Sequence, residues 1–178
     1  MKIVIIILIS VAALIALLLI IALFIKKEYV IKREIVINKS SEEVYKYIKF
    51  LRNQENYSKW VMADPGMKKE FTGTDGNTGF VYAWDSENRN VGKGGQEIIR
   101  LVEGERVDSE IRFIKPFEGI ATTSMLIEPT SERQTRVIWS MSGKNNYPMN
   151  LMVPFIDNLL GKDLQMSLDN LKSILEKK

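Results

Sequence analysis

The fold is decided by the end of the chain, residues 147–178, which read YPMNLMVPFIDNLLGKDLQMSLDNLKSILEKK. Its leucines recur at steps of four, four, three and four residues, at Leu160, Leu164, Leu168, Leu171 and Leu175. This spacing places them on one stripe of an α-helix. Polar and charged residues fill most of the positions between them, so the pattern predicts a long amphipathic helix. Because short β-type segments precede it, we expect the apolar stripe to lie across a β-sheet.

Short segments rich in β-branched residues, separated by glycine-containing turns, occupy most of the remaining chain. The candidate strands cover residues 29–37, 68–74, 78–86, 94–103, 106–114, 119–128 and 134–142. Their close spacing favours an antiparallel meander over βαβ units. Ser40 and Glu43 have the spacing of a capping box and predict a short helix after the first strand. A second short helical segment is expected over residues 53–60.

The chain begins with an apolar segment, residues 3–25, in which Ser10 is the only polar residue. A helix of this length spans roughly 34 Å, which is enough to cross a hydrocarbon core of about 30 Å. A cleaved signal peptide is the alternative. The apolar run is longer than the core of such peptides, and it is not followed by a small-x-small cleavage site. We therefore predict an N-terminal transmembrane anchor over residues 1–27, followed by one domain over residues 28–178.

Positive charges are concentrated on the C-terminal side of the predicted anchor. Lys2 and the amino terminus precede it, whereas the residues after it include Lys26, Lys27, Lys32, Arg33 and Lys39. This asymmetry predicts a single-pass membrane protein with its domain on the cytoplasmic side. Residues 26–28 alone separate the anchor from the first predicted strand, so the domain is expected to stay close to the membrane.

The composition excludes several kinds of chemistry. The chain contains no cysteine and no histidine, which removes disulfides, thiol nucleophiles, histidine acid–base catalysis and the usual zinc and haem ligand sets. We expect no cofactor and no metal. Lysine and arginine number 25 against 22 acidic residues, without the basic stripe typical of nucleic-acid binding. Nucleic acid is therefore not an expected partner.

Two local patterns are possible functional sites, one for phosphate binding and one for acid–base catalysis. Residues 92–95, GKGG, place a lysine among glycines, but they lie between strands rather than before a helix. They predict a turn or bulge rather than a phosphate-binding loop. Asp64 and Asp85 could act as an acid–base pair if an apolar cavity raised the pKa of one carboxyl. Each also fits a polar turn.

Alternation along the strands predicts which residues face the helix. The expected inward rows are Val107, Ser109, Ile111 and Phe113, and Thr135, Val137, Trp139 and Met141. The expected outward residues are Asp108, Glu110, Arg112, Arg136 and Ser140. Trp84 lies in a strand that is apolar in both phases, so its face is not predicted.

Candidate ligand-binding residues are large apolar side chains expected on the inner side of the sheet and the helix. They are Trp60, Trp84, Phe113, Met125, Trp139, Met141, Leu164 and Leu168. Flexible thioethers suit a pocket for varied apolar ligands, and the methionines expected around it are Met125, Met141, Met149, Met152 and Met166. Ordinary core packing is the alternative for each of these residues.

The order of elements and several short motifs resemble a known superfamily. The motifs are Tyr57-Ser58-Lys59-Trp60, Asp64-Pro65, Gly79-Phe80-Val81-Tyr82-Ala83-Trp84 and Gly92-Lys93-Gly94. With the terminal helix they resemble the SRPBCC (START-like) superfamily, in particular its polyketide cyclase/dehydrase and lipid-transport branch, over about residues 29–177. The expected fold class is therefore α+β: a helix-grip, in which a curved antiparallel sheet of about seven strands wraps on the C-terminal helix.

The resemblance implies an apolar cavity that binds a lipid or another hydrophobic molecule. The predicted function is a membrane-anchored, non-catalytic binding domain for a hydrophobic small molecule or lipid. Two alternatives remain open at this point. One is a cyclase/dehydrase-type enzyme acting on an apolar substrate, and the other is a protein-interaction module that uses the groove.

Overall fold

The computed structural model describes residues 1–177, in which seven strands form one antiparallel sheet. The helices are α1 (Lys2–Phe24), α2 (Ser41–Ile48), α3 (Gln54–Tyr57), α4 (Lys59–Met62) and α5 (Val153–Glu176). The strands are β1 (Glu28–Ile37), β2 (Lys68–Thr72), β3 (Val81–Asp85), β4 (Lys93–Val102), β5 (Arg106–Lys115), β6 (Gly119–Ser131) and β7 (Gln134–Lys144). Short 3₁₀ turns at Leu51–Asn53 and Met149–Met152 complete the order.

The sheet is a meander that is extended by the first strand. The strand order is β1-β7-β6-β5-β4-β3-β2, so β2 to β7 each pair with their neighbours in sequence. Strand β1 joins the far side of β7, with Tyr29 opposite Gly143 and Ile37 opposite Thr135. The curved sheet wraps around α5, which confirms the predicted α+β helix-grip.

Helix α5 packs its leucine stripe against the inner face of the sheet. Leu164 and Leu168 are 1% and 0% exposed, and they share a core cluster with residues of β1 and β7. The direction of the helix is marked by two contacts with β1: Arg33 binds Asp157 at 2.9 Å, and Lys172 donates to the Val36 carbonyl at 2.8 Å. Helix α5 therefore runs in the same direction as β1 and ends near the end of that strand.

The predicted long helix starts later than expected, at Val153 instead of residue 147. Pro148 and Pro154 account for the difference, because proline lacks the N–H that a helix interior requires and is tolerated only in the first turn. Pro154 occupies that first turn, and a 3₁₀ turn covers Met149–Met152. The leucine stripe is unaffected because it begins at Leu160. Lys178, the last residue of the predicted helix, lies outside the described residues.

The capping box at the start of α2 is confirmed. The backbone N–H of Glu43 donates to Ser40 Oγ, and the backbone N–H of Ser40 donates to the Glu43 carboxylate. This reciprocal pair satisfies donors that the first helical turn leaves without partners. The helix therefore starts directly after β1, as predicted.

The predicted inward rows of β5 and β7 are also confirmed, with one error among the outward residues. Asp108 lies on the outer face of β5 but is only 6% exposed. Arg106 Nε donates to its carboxylate at 2.7 Å and also to Ser124 Oγ at 3.1 Å. Alternation predicted the face correctly but not the burial, because it takes no account of neighbouring side chains that cover a residue.

Helix α1 is long and apolar enough to cross a membrane, and its C-terminal end is bound to the domain. Asn150 is fully buried, and its Nδ2 donates to the carbonyls of Ala22 at 2.6 Å and Ile25 at 2.9 Å. Carbonyls at the end of a helix have no partners within it, so Asn150 satisfies them from outside. The backbone N–H of Asn145 also donates to the Lys27 carbonyl at 2.8 Å. The C-terminal end of α1 is therefore docked on the rest of the protein.

The two edges of the sheet are β1 and β2. Strand β2 is short and begins with Lys68, Lys69 and Glu70. At the β1 edge, side chains of α5 bind the backbone: Lys172 donates to the Val36 carbonyl, and Glu176 accepts from the Asn38 N–H at 2.6 Å.

Candidate functional site

An apolar cavity of about 330 Å³ lies between the inner face of the sheet and the helices. Its volume is at the lower end of the range of small-molecule pockets, about 300–1,000 Å³. The apolar and aromatic side chains of its wall are Tyr29, Trp60, Val61, Met67, Tyr82, Trp84, Ile111, Phe113, Trp139, Met141 and Leu160. A second void of about 10 Å³ lies deeper in the core. Only the larger cavity can hold an organic ligand.

The cavity opens at the end of the sheet next to α1. Its rim includes the turn between β5 and β6, with Lys115, Phe117 and Glu118, and the end of β7, with Lys144 and Asn145. The charged side chains among the lining residues are all on this exposed rim. The interior wall therefore carries no formal charge.

Gly92 allows the turn between β3 and β4 to pack closely on this rim. Its φ is +66°, and a Cβ at this position would lie 2.1 Å from the Lys115 carbonyl oxygen. The ladder between β4 and β5 shifts register between Lys93 and Gly94. The glycine-rich stretch is therefore a turn followed by a bulge, as predicted, and not a phosphate loop.

Trp139 connects the cavity wall to the core. Its indole Nε1 donates to Thr123 Oγ1 at 2.6 Å. Its ring meets Trp60 edge-to-face at 6.4 Å between centroids and Tyr57 at 6.1 Å. Edge-to-face pairs of this kind add stability beyond area burial. The side chain serves both roles that the sequence left open, wall and core.

The structure brings together five of the candidate ligand-binding residues at the cavity wall: Trp60, Trp84, Phe113, Trp139 and Met141. This also assigns a face to Trp84, whose indole Nε1 donates to the Val91 carbonyl at 3.3 Å.

Three other candidates lie in the core and not on the wall of the large cavity. Leu164 and Leu168 are fully covered because α5 packs directly on β1 and β7 there. Met125 borders the small void and accepts a weak hydrogen bond from the Tyr57 hydroxyl at 4.0 Å. Space for a ligand remains only farther along the sheet, near Leu160.

The expectation that five methionines surround the cavity is wrong for four of them: Met125, already placed in the core, and three exposed residues. Met149, Met152 and Met166 are exposed and do not line the cavity. Met149 and Met152 lie in the 3₁₀ turn before α5, and Met166 lies on the outer face of that helix. For Met149 and Met152 the helix start was predicted too early, whereas Met166 lies off the stripe of Leu164 and Leu168 and its outward position follows from that spacing.

Sequence reasoning missed several wall residues, namely Tyr29, Tyr82, Ile111, Leu160 and the turn of residues 115–120. Ile111 shares the inward row of Phe113, and Leu160 is the first leucine of the stripe, so both could have been included. The sequence signal for this region is Phe117, a large apolar residue in a turn that would ordinarily be polar, followed closely by Ile120 at the start of β6.

Polar groups near the wall bind one another. The Tyr82 hydroxyl lies 3.4 Å from Glu55 Oε1, and Lys69 pairs with the other oxygen of that carboxylate at 3.1 Å. Burial, followed by the negative charge of Glu55, raises the pKa of Tyr82, so the phenol is neutral at pH 7. Gln96 Nε2 donates to Ser109 Oγ at 3.1 Å. These groups can orient a ligand through hydrogen bonds.

The two aspartates considered as an acid–base pair do not line the cavity. The Ser86 hydroxyl donates to Asp64 at 2.5 Å. Lys93 donates to Asp85 at 2.7 Å, and this hydrogen bond lowers the pKa of the Asp85 carboxyl. A carboxylate that is held ionised in this way cannot act as the acid of such a pair.

Solved structures with the same fold resemble this chain over most of its length and most of their own. Norcoclaurine synthase from Thalictrum flavum, in complex with dopamine and hydroxybenzaldehyde, has a TM-score of 0.65 and 14% identity, covering 89% of this chain and 94% of the synthase. A protein from Chromobacterium violaceum has a TM-score of 0.60 and 17% identity, covering 84% and 98%. No curated protein matches the chain significantly by sequence.

At such low identities the solved structures show the fold alone. The sequence itself matches the family model described as polyketide cyclase/dehydrase and lipid transport over residues 29–176. This match covers the whole sheet and α5, and therefore the cavity between them. The chain accordingly belongs to the polyketide cyclase/dehydrase and lipid transport family, a group with the SRPBCC-type fold for hydrophobic ligands.

Proposed function

We propose that this protein is a single-pass membrane protein whose domain, residues 28–178, binds one apolar small molecule or part of a lipid without transforming it. The observation that carries the proposal is the uncharged cavity of about 330 Å³ with its mouth beside the anchor. Burial of apolar surface, at roughly 25 cal/mol per Å², is the main source of binding free energy available in such a wall. The ligand is therefore expected to be mostly hydrocarbon or aromatic.

A non-catalytic role is supported by the chemistry of the wall. The chain lacks histidine and cysteine, Tyr82 is a neutral phenol, and the charged lining residues lie on the exposed rim. Acid–base catalysis needs a group with a pKa near the working pH within reach of the substrate. The groups that line the interior do not supply one.

Membrane anchoring and a cytoplasmic domain are supported by α1 and by the charges that follow it. Helix α1 is exposed along nearly its whole length except at Ala22, so its apolar surface has no cover from the domain. Lys26 and Lys27 follow it directly, which favours the cytoplasmic side for the domain. The docking of α1 through Asn150 would then hold the cavity mouth toward the membrane surface.

Replacing Leu160 by tryptophan tests the cavity as the ligand site. The larger side chain should fill part of the cavity, and the fraction of chains carrying a ligand should fall by about tenfold or more. The matched control is Leu159→Trp, because Leu159 is the adjacent residue on the exposed side of α5. Native mass spectrometry of the full chain released from detergent measures the bound mass. Equal loading of both variants would place the ligand elsewhere.

Replacing Asn150 by leucine tests whether the anchor is docked. The change removes both hydrogen bonds to the end of α1, which are worth about 1–3 kcal/mol together. Spin labels on cysteines introduced at Leu18 and Glu132 should give a narrow distance distribution in the parent and a broad one in Asn150→Leu. Asn146→Leu, at an exposed position one turn earlier, is the control. A broad distribution in the parent itself would mean that the domain is only tethered.

A further inference from the structure

Large apolar side chains are exposed at the cavity mouth and in the segment that leads into α5. Phe117, in the turn between β5 and β6, and Ile120, at the start of β6, lie on the rim and are 68% and 59% exposed. Met149, Met152 and Phe155 are exposed just before and at the start of α5. We call these residues the apolar collar. Exposed apolar side chains grouped at one end of a domain mark a contact with a partner.

The apolar collar lies at the end of the domain that carries the anchor. Gly143 pairs with Tyr29 on one side and with Ala121 on the other. The start of β1, the end of β7 and the turn before β6 are therefore adjacent. Asn150, which lies between Met149 and Met152, binds the end of α1. The collar is thus held near the level at which α1 would leave a bilayer.

Charges around the apolar collar are mainly positive. The basic residues at this end of the domain are Lys26, Lys27, Arg89, Lys93, Lys115 and Lys144, and the acidic residues nearby are Glu28, Asp85, Glu87 and Glu118. Basic residues next to exposed apolar side chains complement the anionic headgroups of a phospholipid surface. A protein partner would not require this combination at the exit point of a transmembrane helix.

We infer that the apolar collar is a second contact with the lipid bilayer, which seats the cavity mouth in the membrane interface. The inference rests on the proposed function, because it requires α1 to span the membrane. Phe117 and Ile120 of the collar lie on the rim through which a ligand must pass. An apolar ligand would then move between the bilayer and the cavity without crossing bulk water.

The test uses the full chain in vesicles of phosphatidylcholine mixed with phosphatidylglycerol. The chain has no native cysteine, so a polarity-sensitive fluorophore can be attached to a single introduced cysteine. Three positions are compared: Glu118 beside Phe117, Leu14 in the middle of α1, and Glu132 in the turn at the opposite end of the sheet. Spin-labelled lipids in the vesicle quench a fluorophore that contacts the bilayer.

The expected result is quenching at Leu14 and at Glu118, with none at Glu132. Quenching at Leu14 alone would overturn the collar as a lipid contact while leaving the membrane anchor intact. Absence of quenching at Leu14 would overturn the anchor itself, and the collar with it. A fluorophore at Glu118 that lipid does not quench, and whose emission shifts when the protein is diluted in the vesicle, would assign the collar to a second copy of the chain and would also overturn the inference.

Two variants link the signal to the apolar side chains. Burial of each of Phe117 and Ile120 in lipid should raise the equilibrium constant for the contact between collar and bilayer by more than about tenfold. Phe117→Ser combined with Ile120→Ser should therefore abolish most of the quenching at Glu118. Ile99→Ser is the control, since Ile99 is an exposed residue toward the other end of β4, and its quenching should equal that of the parent. Unchanged quenching in the double variant would contradict the inference.

Discussion

Replacing Leu168 by aspartate is expected to lower the free energy of unfolding by about 3–5 kcal/mol. Leu168 is 0% exposed at the centre of the leucine stripe. The change both removes buried apolar surface and places a carboxyl where it has no partner. Because burial would raise the pKa of this new carboxyl in the folded state, the loss should be smaller at acid pH and full at neutral pH.

Urea denaturation of the full chain in detergent, followed by tryptophan fluorescence, measures this loss. The matched control is Met166→Asp, two residues away on the same helix at a side chain that is 44% exposed. A surface change of this kind is expected to stay within about 0.5 kcal/mol. Equal stability of the two variants would show that the leucine stripe does not face the sheet.

Replacing Trp139 by alanine is expected to cost about 3–5 kcal/mol, a second large effect. The indole is buried, contacts Trp60 and Tyr57, and donates to Thr123. Its removal would also merge part of the core with the ligand cavity. We therefore expect both a lower unfolding free energy and weaker retention of the bound ligand, because the ligand would lose an aromatic face of its wall.

Trp139→Phe separates packing from the hydrogen bond. Phenylalanine keeps an aromatic ring but lacks the N–H donor, so a smaller cost of about 1–2 kcal/mol is expected. Denaturation gives the stability, and native mass spectrometry of the same samples gives the ligand loading. If alanine and phenylalanine were equally destabilising, the hydrogen bond to Thr123 would outweigh the packing of the ring.

The sequence allowed the fold to be predicted because its signals are local and periodic. The leucine steps from Leu160 to Leu175 define one face of a helix, and the alternation in β5 and β7 defines one face of a sheet. The apolar side chains of both faces are removed from water only when the helix packs on the sheet. Ser40 and Glu43 are equally local, since a capping box needs only residues of one turn.

The cavity could be predicted only in part, because it is a region where two apolar faces fail to meet. Trp139 and Leu168 are both apolar residues at inward positions of a periodic pattern. Trp139 borders the cavity, however, whereas Leu168 is packed against β1 and β7. The difference depends on the curvature of the sheet relative to α5, which no local pattern encodes. The exposure of Asp108 is not predicted for a related reason, because neighbouring side chains such as Arg106 cover its carboxylate.

The protected edges of the sheet affect how the protein behaves at high density. Anchored molecules diffuse in two dimensions, so their domains collide sideways far more often than free domains at the same average concentration. An open strand edge would turn such collisions into intermolecular pairing. Here β2 is only five residues long and carries the charge of Lys68, while Lys172 and Glu176 bind backbone groups of the other edge. If α1 holds the protein in a membrane, as proposed, these edges would oppose strand-to-strand aggregation at high density.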